Sequence, residues 1–146
     1  MIIEQRIRDF ETRQFKMIFQ NTLNDHDTLF GGIAMQWMDE VAYITAIRFT
    51  RMKMVTVSSE KIKFIKAIKH GSIVEIVGRV INVRRVKIDI KVEIIVENID
   101  NDISEKAVEA IFTFAAVDDD HNPLYMDVNE RIAQMQPSFL DAELLC

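Results

Sequence analysis

The segment from Ile33 to Phe49, IAMQWMDEVAYITAIRF, has the length of a helix and contains neither Gly nor Pro. Its polar residues are only Gln36, Asp39, Glu40, Thr45 and Arg48, with Tyr43 amphipathic. A helix apolar around most of its circumference must be covered on several sides. The rest of the chain supplies mainly strand-like sequence to cover it. VTVSSEKIKFI (55–65) and SIVEIVGRVINV (72–83) are rich in β-branched residues, with Gly71 marking the turn between them. In VKIDIKVEIIVE (86–97), Val86, Ile88, Ile90, Val92 and Ile94 alternate with Lys87, Asp89, Lys91 and Glu93, the pattern of a sheet with one dry and one wet face. AVEAIFTFAAV (107–117) is too apolar on both faces for an exposed edge. Ahead of the helix, Arg13 to Leu23 alternates around Phe15, Met17 and Phe19 as a first strand, after a frayed or helical lead-in over 1–12. NDHDTLFGG (24–32) and DDDHNP (118–123) are loops, and Val128 to Met135 suits a short terminal helix. The expected class is α+β, an antiparallel sheet wrapped around one long helix. Two such sheets joined edge to edge would hide their open edges, so a homodimer is expected.

A length of 146 residues suits one domain, 1–146, with a lead-in at 1–12 and a C-terminal helix and tail at 124–146. The single cysteine, Cys146, rules out an intrachain disulfide and a cysteine metal cluster. The N-terminus MIIEQRIRDFETRQ is charged within four residues and lacks an apolar core, so no secretory leader is expected. Asp39, Glu40 and Arg48 interrupt the longest apolar stretch well short of a membrane span. A cytoplasmic protein with no membrane partner is therefore expected. The net charge of −5 argues against general nucleic-acid binding, yet the charge is uneven. Between Arg51 and Lys91 there are 11 Lys and Arg against three acids. Such a basic middle is either a solvated face of strand lysines or a seat for a small phosphorylated ligand.

Asp39 is the anomaly, a carboxylate near the middle of the apolar helix. Burying it unpaired costs several kcal/mol, so it either serves a purpose or, with Glu40, forms the helix's one wet edge. Gly31-Gly32 precede the helix, where they either provide unusual dihedrals or let another molecule reach the free N–H groups of the first turn. Such N–H groups can hold a carbonyl oxygen as it becomes an oxyanion. Asn24 could orient a water or cap its own loop, and His26 lies in the same loop. His26, His70 and His121 lack ligand-like spacing, so no metal site is expected. Ser58-Ser59 lies mid-strand, and Arg84-Arg85 sits at a hairpin tip, where paired arginines could grip phosphates.

Taken together, NDHDTLFGGIAMQWMDEVA, MVTVSSEKIKF and EAIFTFAAVD resemble the acyl-CoA thioesterases of the hotdog fold, over roughly Phe15 to Pro123. The resemblance implies a five- to six-stranded antiparallel sheet curled around the helix, dimerised through the sheet edge and often assembled as a trimer of dimers. It implies hydrolysis of acyl-CoA, with Asp39 as the catalytic carboxylate, Asn24 as its polar partner from the other subunit, and the Gly32 backbone as oxyanion donor. Gly31, Thr56, Val57, Ser58, Arg84, Arg85 and Lys87 would contact the CoA ester, whose CoA is substrate rather than a separate cofactor. Met35, Met38 and Phe64 would line the acyl tunnel. The chain departs from the family pattern at Asp27, where Gly is usual, at Phe64-Ile65-Lys66-Ala67, which lacks a closing Pro, at Gly71-Ser72, and at the hairpin Asn82-Val83-Arg84-Arg85. Two other readings remain on the residues alone. One is a non-catalytic acyl-CoA sensor, and the other is a hydratase or dehydratase, for which only His26 is placed.

Overall fold

The structure is a computed structural model and describes residues 2–135. Cys146 and the tail expected after the terminal helix lie outside the described residues. The elements are α1 (Ile2–Asp9), β1 (Thr12–Met17), a 3-10 turn (Gln20–Thr22), α2 (Gly31–Thr50), β2 (Met54–Phe64), β3 (Ile73–Val83), β4 (Lys87–Glu97), β5 (Ser104–Ala116) and α3 (Val128–Met135). All strand pairs are antiparallel, and the sheet order is β1-β3-β4-β5-β2.

The alternation read from the sequence sets which face meets the helix. Val74, Ile76 and Val80 of β3, Ile88, Ile90, Val92 and Ile94 of β4, and Val108, Phe112 and Phe114 of β5 are buried. They pack in one core with Met38, Val41, Ala42, Ala46 and Phe49 of α2. Each fully buried Ile, Leu or Phe contributes about 1.5–3 kcal/mol, so this layer dominates the stability. Gly78 opens a space in the middle of β3. A Cβ there would lie 2.6 Å from Thr45 Oγ1, 3.0 Å from Val41 Cγ1 and 3.4 Å from the Val41 carbonyl oxygen. A glycine inside a strand often marks a close approach of another backbone, and here it lets α2 lie directly on β3.

Two boundaries differ from expectation. β1 ends at Met17 rather than running to Leu23, because the pair with β3 closes there. Ile18 N–H donates to the Ser72 carbonyl and Gly71 N–H to the Ile18 carbonyl, both at 3.0 Å. The chain then enters the 3-10 turn, with Thr22 Oγ1 donating to the Phe19 carbonyl at 2.8 Å. The central helix starts at Gly31 instead of Ile33, so both glycines belong to its first turn. It stops where Arg51 turns left-handed at φ 56° and donates its N–H to the Ile47 carbonyl.

The sheet leaves β2 as a long edge. From Thr56 to Phe64 its residues are exposed, including Val57, Ile62 and Phe64. The adjoining stripe of α2 is also open at Gln36, Glu40, Tyr43 and Ile44. An eleven-residue edge strand with exposed apolar side chains is a template for pairing with another chain. No described helix is long and apolar enough to cross a membrane.

Candidate active site

The loop before α2 is built around Asn24. Its Oδ1 accepts the backbone N–H groups of His26 (2.9 Å) and Thr28 (3.1 Å), and its Nδ2 lies 3.0 Å from Thr28 Oγ1. The capping role is thus filled, while one amide hydrogen is left over for the cavity beside it. Asp27 takes the left-handed conformation at φ 61°. Asp tolerates that conformation better than most residues, and glycine, which the resemblance implies at this position, tolerates it best. The loop is tied down by Leu29 N–H to the Ile68 carbonyl (2.7 Å) and Phe30 N–H to the Thr22 carbonyl (2.9 Å).

Gly31 and Gly32 open the helix with no side-chain cap and no acid in the first turn. Neither has a positive φ, so unusual dihedrals do not explain the glycines. A Cβ at Gly31 would make only ordinary contact with the Phe64 ring, at 3.5 Å. One at Gly32 would meet only the exposed ring of Phe30. The Gly31 and Gly32 N–H groups find no acceptor among the described residues, as expected of the first turn of a helix. These donors, at the positive end of the helix dipole, face outward with nothing on their own residues to keep a ligand away.

A cavity of about 400 Å³ lies beside them, lined by Asn24, Gly31 and Phe64 together with Leu29, Ala34 and Val108. Met38 is not part of it but is fully buried in the core, and Met35 packs half-buried against that core. Of the three side chains expected to line a tunnel, only Phe64 does so here.

Asp39 is half-buried, and Thr56 Oγ1 donates to its Oδ1 at 3.3 Å. The sequence placed Thr56 among the ligand contacts and missed this partnership, which joins residues 17 apart in two different elements. Glu40 is exposed, so within one protomer the two acids do sit on the open side of the helix. Gly31 and Asp39 are separated by about 12 Å of helix axis, so Asp39 is remote from the Asn24 cavity in its own chain. Val57 and Ser58 are exposed on the β2 edge. His26 has 81% of its side chain exposed to solvent, with Nε2 3.8 Å from Asp25 Oδ1.

The hairpin residues Arg84, Arg85 and Lys87 share the end of the sheet where Thr56 sits, in the row Thr56–Phe114–Ile88–Val83. Three strand spacings, about 14 Å, separate them from Thr56. Arg84 Nη2 donates to Asp89 Oδ1 at 2.6 Å, and Thr113 Oγ1 donates to the same oxygen at 2.6 Å. Arg84 is thereby held down on the sheet. The Arg85 side chain has no partner among the described residues and lines a second cavity with Tyr125, Asp127 and Asn129. Lys87 begins β4, and its carbonyl accepts the Arg84 N–H at 2.8 Å.

The chain is similar to several known proteins. An uncharacterized acyl-CoA thioester hydrolase of Bacillus subtilis is 32% identical over 107 residues, 73% of this chain and 62% of that protein. Another, from Haemophilus influenzae, is 38% identical over 98 residues, 65% of this chain and 64% of that protein. The chain therefore spans less than two thirds of the length of either relative. An acyl-CoA hydrolase of Staphylococcus aureus, solved with butyryl-coenzyme A, coenzyme A and coenzyme A disulfide, superposes with a TM-score of 0.78 at 25% identity, over 95% of this chain and 94% of that one. The same hydrolase was also solved with an Asn or a Thr changed to Ala. A hexameric broad-specificity acyl-coenzyme A thioesterase, solved as an Asp-to-Ala variant, superposes with a TM-score of 0.73 at 27% identity, over 84% of this chain and 94% of that one. The five-stranded sheet around a 20-residue helix is accordingly the hotdog fold. The thioesterase superfamily model matches residues 26–101, just over half of the chain, covering the Asn24-anchored loop from His26 on, the glycine-started helix and strands β2 to β4. The chain belongs to the thioesterase superfamily.

Proposed function

We propose that the chain hydrolyses acyl-CoA thioesters at two equivalent sites of a homodimer, each built from both protomers. The observation that carries this reading is the pair of helical glycines whose free N–H groups open beside an apolar cavity, with a carboxylate on the exposed flank of the same helix. Along β2 the Thr56 end lies by Asp39 and the Phe64 end lies by Gly31 and Asn24. Antiparallel pairing of two β2 edges about their middle would set the Thr56 end of one protomer against the Phe64 end of its partner. Asp39 would then face the Asn24 cavity across the seam. Asn24 and Thr56 stand 32 residues apart, the interval between the Asn and the Thr replaced in the S. aureus hydrolase. The hexameric thioesterase supports assembly of such dimers into a trimer of dimers.

In this arrangement the Gly31 and Gly32 N–H groups hold the thioester oxygen as it gains negative charge. Asp39 takes a proton from water, whose oxygen attacks the carbonyl carbon. The C–S bond then breaks and Asp39 returns the proton to the thiolate. The alternative is direct attack by the carboxylate to form a mixed anhydride that water then opens. Thr56 holds Asp39 through its hydroxyl, and the free amide hydrogen of Asn24 orients the water. The solvent exposure of His26 disfavours a hydratase.

Mixing two inactive variants tests the shared site. Asn24→Ala and Asp39→Asn homodimers should each be nearly dead. After subunit exchange, one of the two sites in a mixed dimer regains both groups, so activity should recover to about a quarter of wild type under random C2 pairing. No recovery in demonstrably mixed dimers would mean that each site lies within one protomer. A second measurement concerns the hairpin. Arg85→Ala should raise KM for CoA esters but not for pantetheine thioesters, because Arg85 is the unpaired arginine; equal effects on both would remove it from the nucleotide contacts.

A further inference from the structure

The basic stretch between Arg51 and Lys91 is only partly taken up by the proposed site. Much of the remainder is gathered on the face of the sheet away from α2. Lys61 and Lys63 of β2, Arg79 of β3 and Lys91 of β4 line a groove of about 360 Å³ floored by Ile81, Ala110 and Ile111. Arg79 and Lys91 are directly opposite each other in the ladder. Like charges so placed repel and destabilise the sheet, and Arg79 has no hydrogen bond or ion pair among the described residues. The nearby acids relieve it only in part, on the Lys91 side. Glu109 is taken up by Lys106 (3.0 Å), Lys63 (3.7 Å) and Lys91 (3.8 Å), and Glu93 by Lys106 (3.3 Å). Lys106 above all, with Lys91 and Lys63, holds the Glu109 carboxyl below its ordinary range. With Arg13 and Glu11, which line the adjoining cavity beside Arg79 and Lys91, six cations thus share three carboxylates, Glu11, Glu93 and Glu109, each already engaged.

Lys61 is an independent oddity. It sits in the bulge of β2 between Glu60 and Lys63, in the left-handed conformation at φ 53°. Lysine seldom adopts that conformation, and a bulge re-aims the side chain it carries. Strain of this kind persists where something depends on it, and here the strained residue is one of the groove's cations. The half-exposed Ile81 and Ile111 supply an apolar floor beside the charges.

We infer that this outer-face groove binds a diphosphate-bearing ligand, its phosphates held by Arg79, Lys91 and Lys61 and a flat ring resting on Ile81 and Ile111. The diphosphate could belong to a free nucleotide or to the nucleotide half of a CoA molecule. The inference does not depend on the proposed hydrolysis, because the groove lies across the sheet from α2.

Inorganic pyrophosphate, ADP and CoA titrated into the full chain, followed by calorimetry and by the methyl resonances of Ile81 and Ile111, test it. Pyrophosphate should saturate at one per protomer and shift both methyls, and ADP should bind more tightly. CoA competing with ADP for the groove would identify CoA as the source, and CoA binding only elsewhere would identify a free nucleotide. The Arg79→Ser/Lys91→Ser variant should weaken pyrophosphate binding by about tenfold or more, the order expected for losing charge-assisted hydrogen bonds. Its melting temperature should hold or rise, because a repulsive pair is gone, and its turnover of a pantetheine thioester should be unchanged. Lys61→Gly should likewise bind more weakly without loss of stability. Absence of saturable binding, undiminished binding by both folded variants, or shifts confined to the 84–87 hairpin would overturn the inference.

Discussion

Asp39→Asn is expected to lower turnover of acyl-CoA esters by about 10²- to 10⁴-fold, the range for removing a positioned general base. Fold and melting temperature should be preserved. The substitution is isosteric, the side chain is half-buried rather than enclosed, and it makes no ion pair among the described residues. The Thr56 hydroxyl at 3.3 Å can donate to an amide oxygen as readily as to a carboxylate. Steady-state release of thiol from a panel of CoA esters, with circular dichroism as the control for folding, measures both halves of the expectation. Turnover within a few-fold of wild type would end the assignment of Asp39. A single turnover of the wild-type chain in isotope-labelled water then separates the two routes, because only the anhydride route leaves label on the enzyme carboxylate. Thr56→Val belongs beside it. Loss of the hydroxyl leaves the carboxylate chemically intact but free to rotate, so its effect on kcat should be clearly smaller than that of Asp39→Asn.

Gly78→Ala should produce the largest loss of stability from adding a single methyl group. The new Cβ would fall 2.6 Å from Thr45 Oγ1 and 3.0 Å from Val41 Cγ1. Thr45 cannot simply swing aside, because it is fully buried with its hydroxyl on the Val41 carbonyl at 2.7 Å. Helix and strand must therefore separate. Overpacking of this kind costs about 1–3 kcal/mol, and the lower unfolded-state entropy of Ala returns about 0.5–1 kcal/mol. The net destabilisation, up to about 2.5 kcal/mol, corresponds to a fall in Tm of up to several degrees for a chain of this size. Thermal unfolding measures it. The double variant Thr45→Ala/Gly78→Ala should lose less than the sum of the singles, because removing the hydroxyl makes room for the methyl. Strict additivity would place the strain elsewhere.

Periodicity made most of the fold legible. The perfect alternation of β4 follows from one dry and one wet face, and a 20-residue helix without internal breakers needs no tertiary information to be recognised. Boundaries were less legible where they depend on a partner strand, as at Met17, where the ladder with β3 runs out. Gly78 carried a weak signal, an isolated glycine inside a strand pattern, but which helix atoms it admits is a matter of packing. The Gly31-Gly32 pair left two explanations open, and only backbone angles separate them. Neither has a positive φ, so backbone conformation does not require them, while a side chain at Gly32 would crowd the Phe30 ring at 2.8 Å.

The tunnel residues show the same division. Met35, Met38 and Phe64 have equal claims by composition, yet Met38 is sealed in the core and only Phe64 borders the cavity. Thr56 and Asp39 meet because β2 runs back along the helix, a contact between residues 17 apart that no local pattern encodes. The eleven basic residues between Arg51 and Lys91 form one stretch in sequence, but the fold sends three to the hairpin, four to the outer groove and the other four elsewhere, Arg51 to the end of the central helix among them. Alternation of side chains and helix length are local properties, so the sequence alone determined the elements, their buried faces and the residue types available for chemistry. Which of those residues meet was decided only by the tertiary structure, because strand order, bulges and the crossing of α2 over the sheet depend on how distant segments pack.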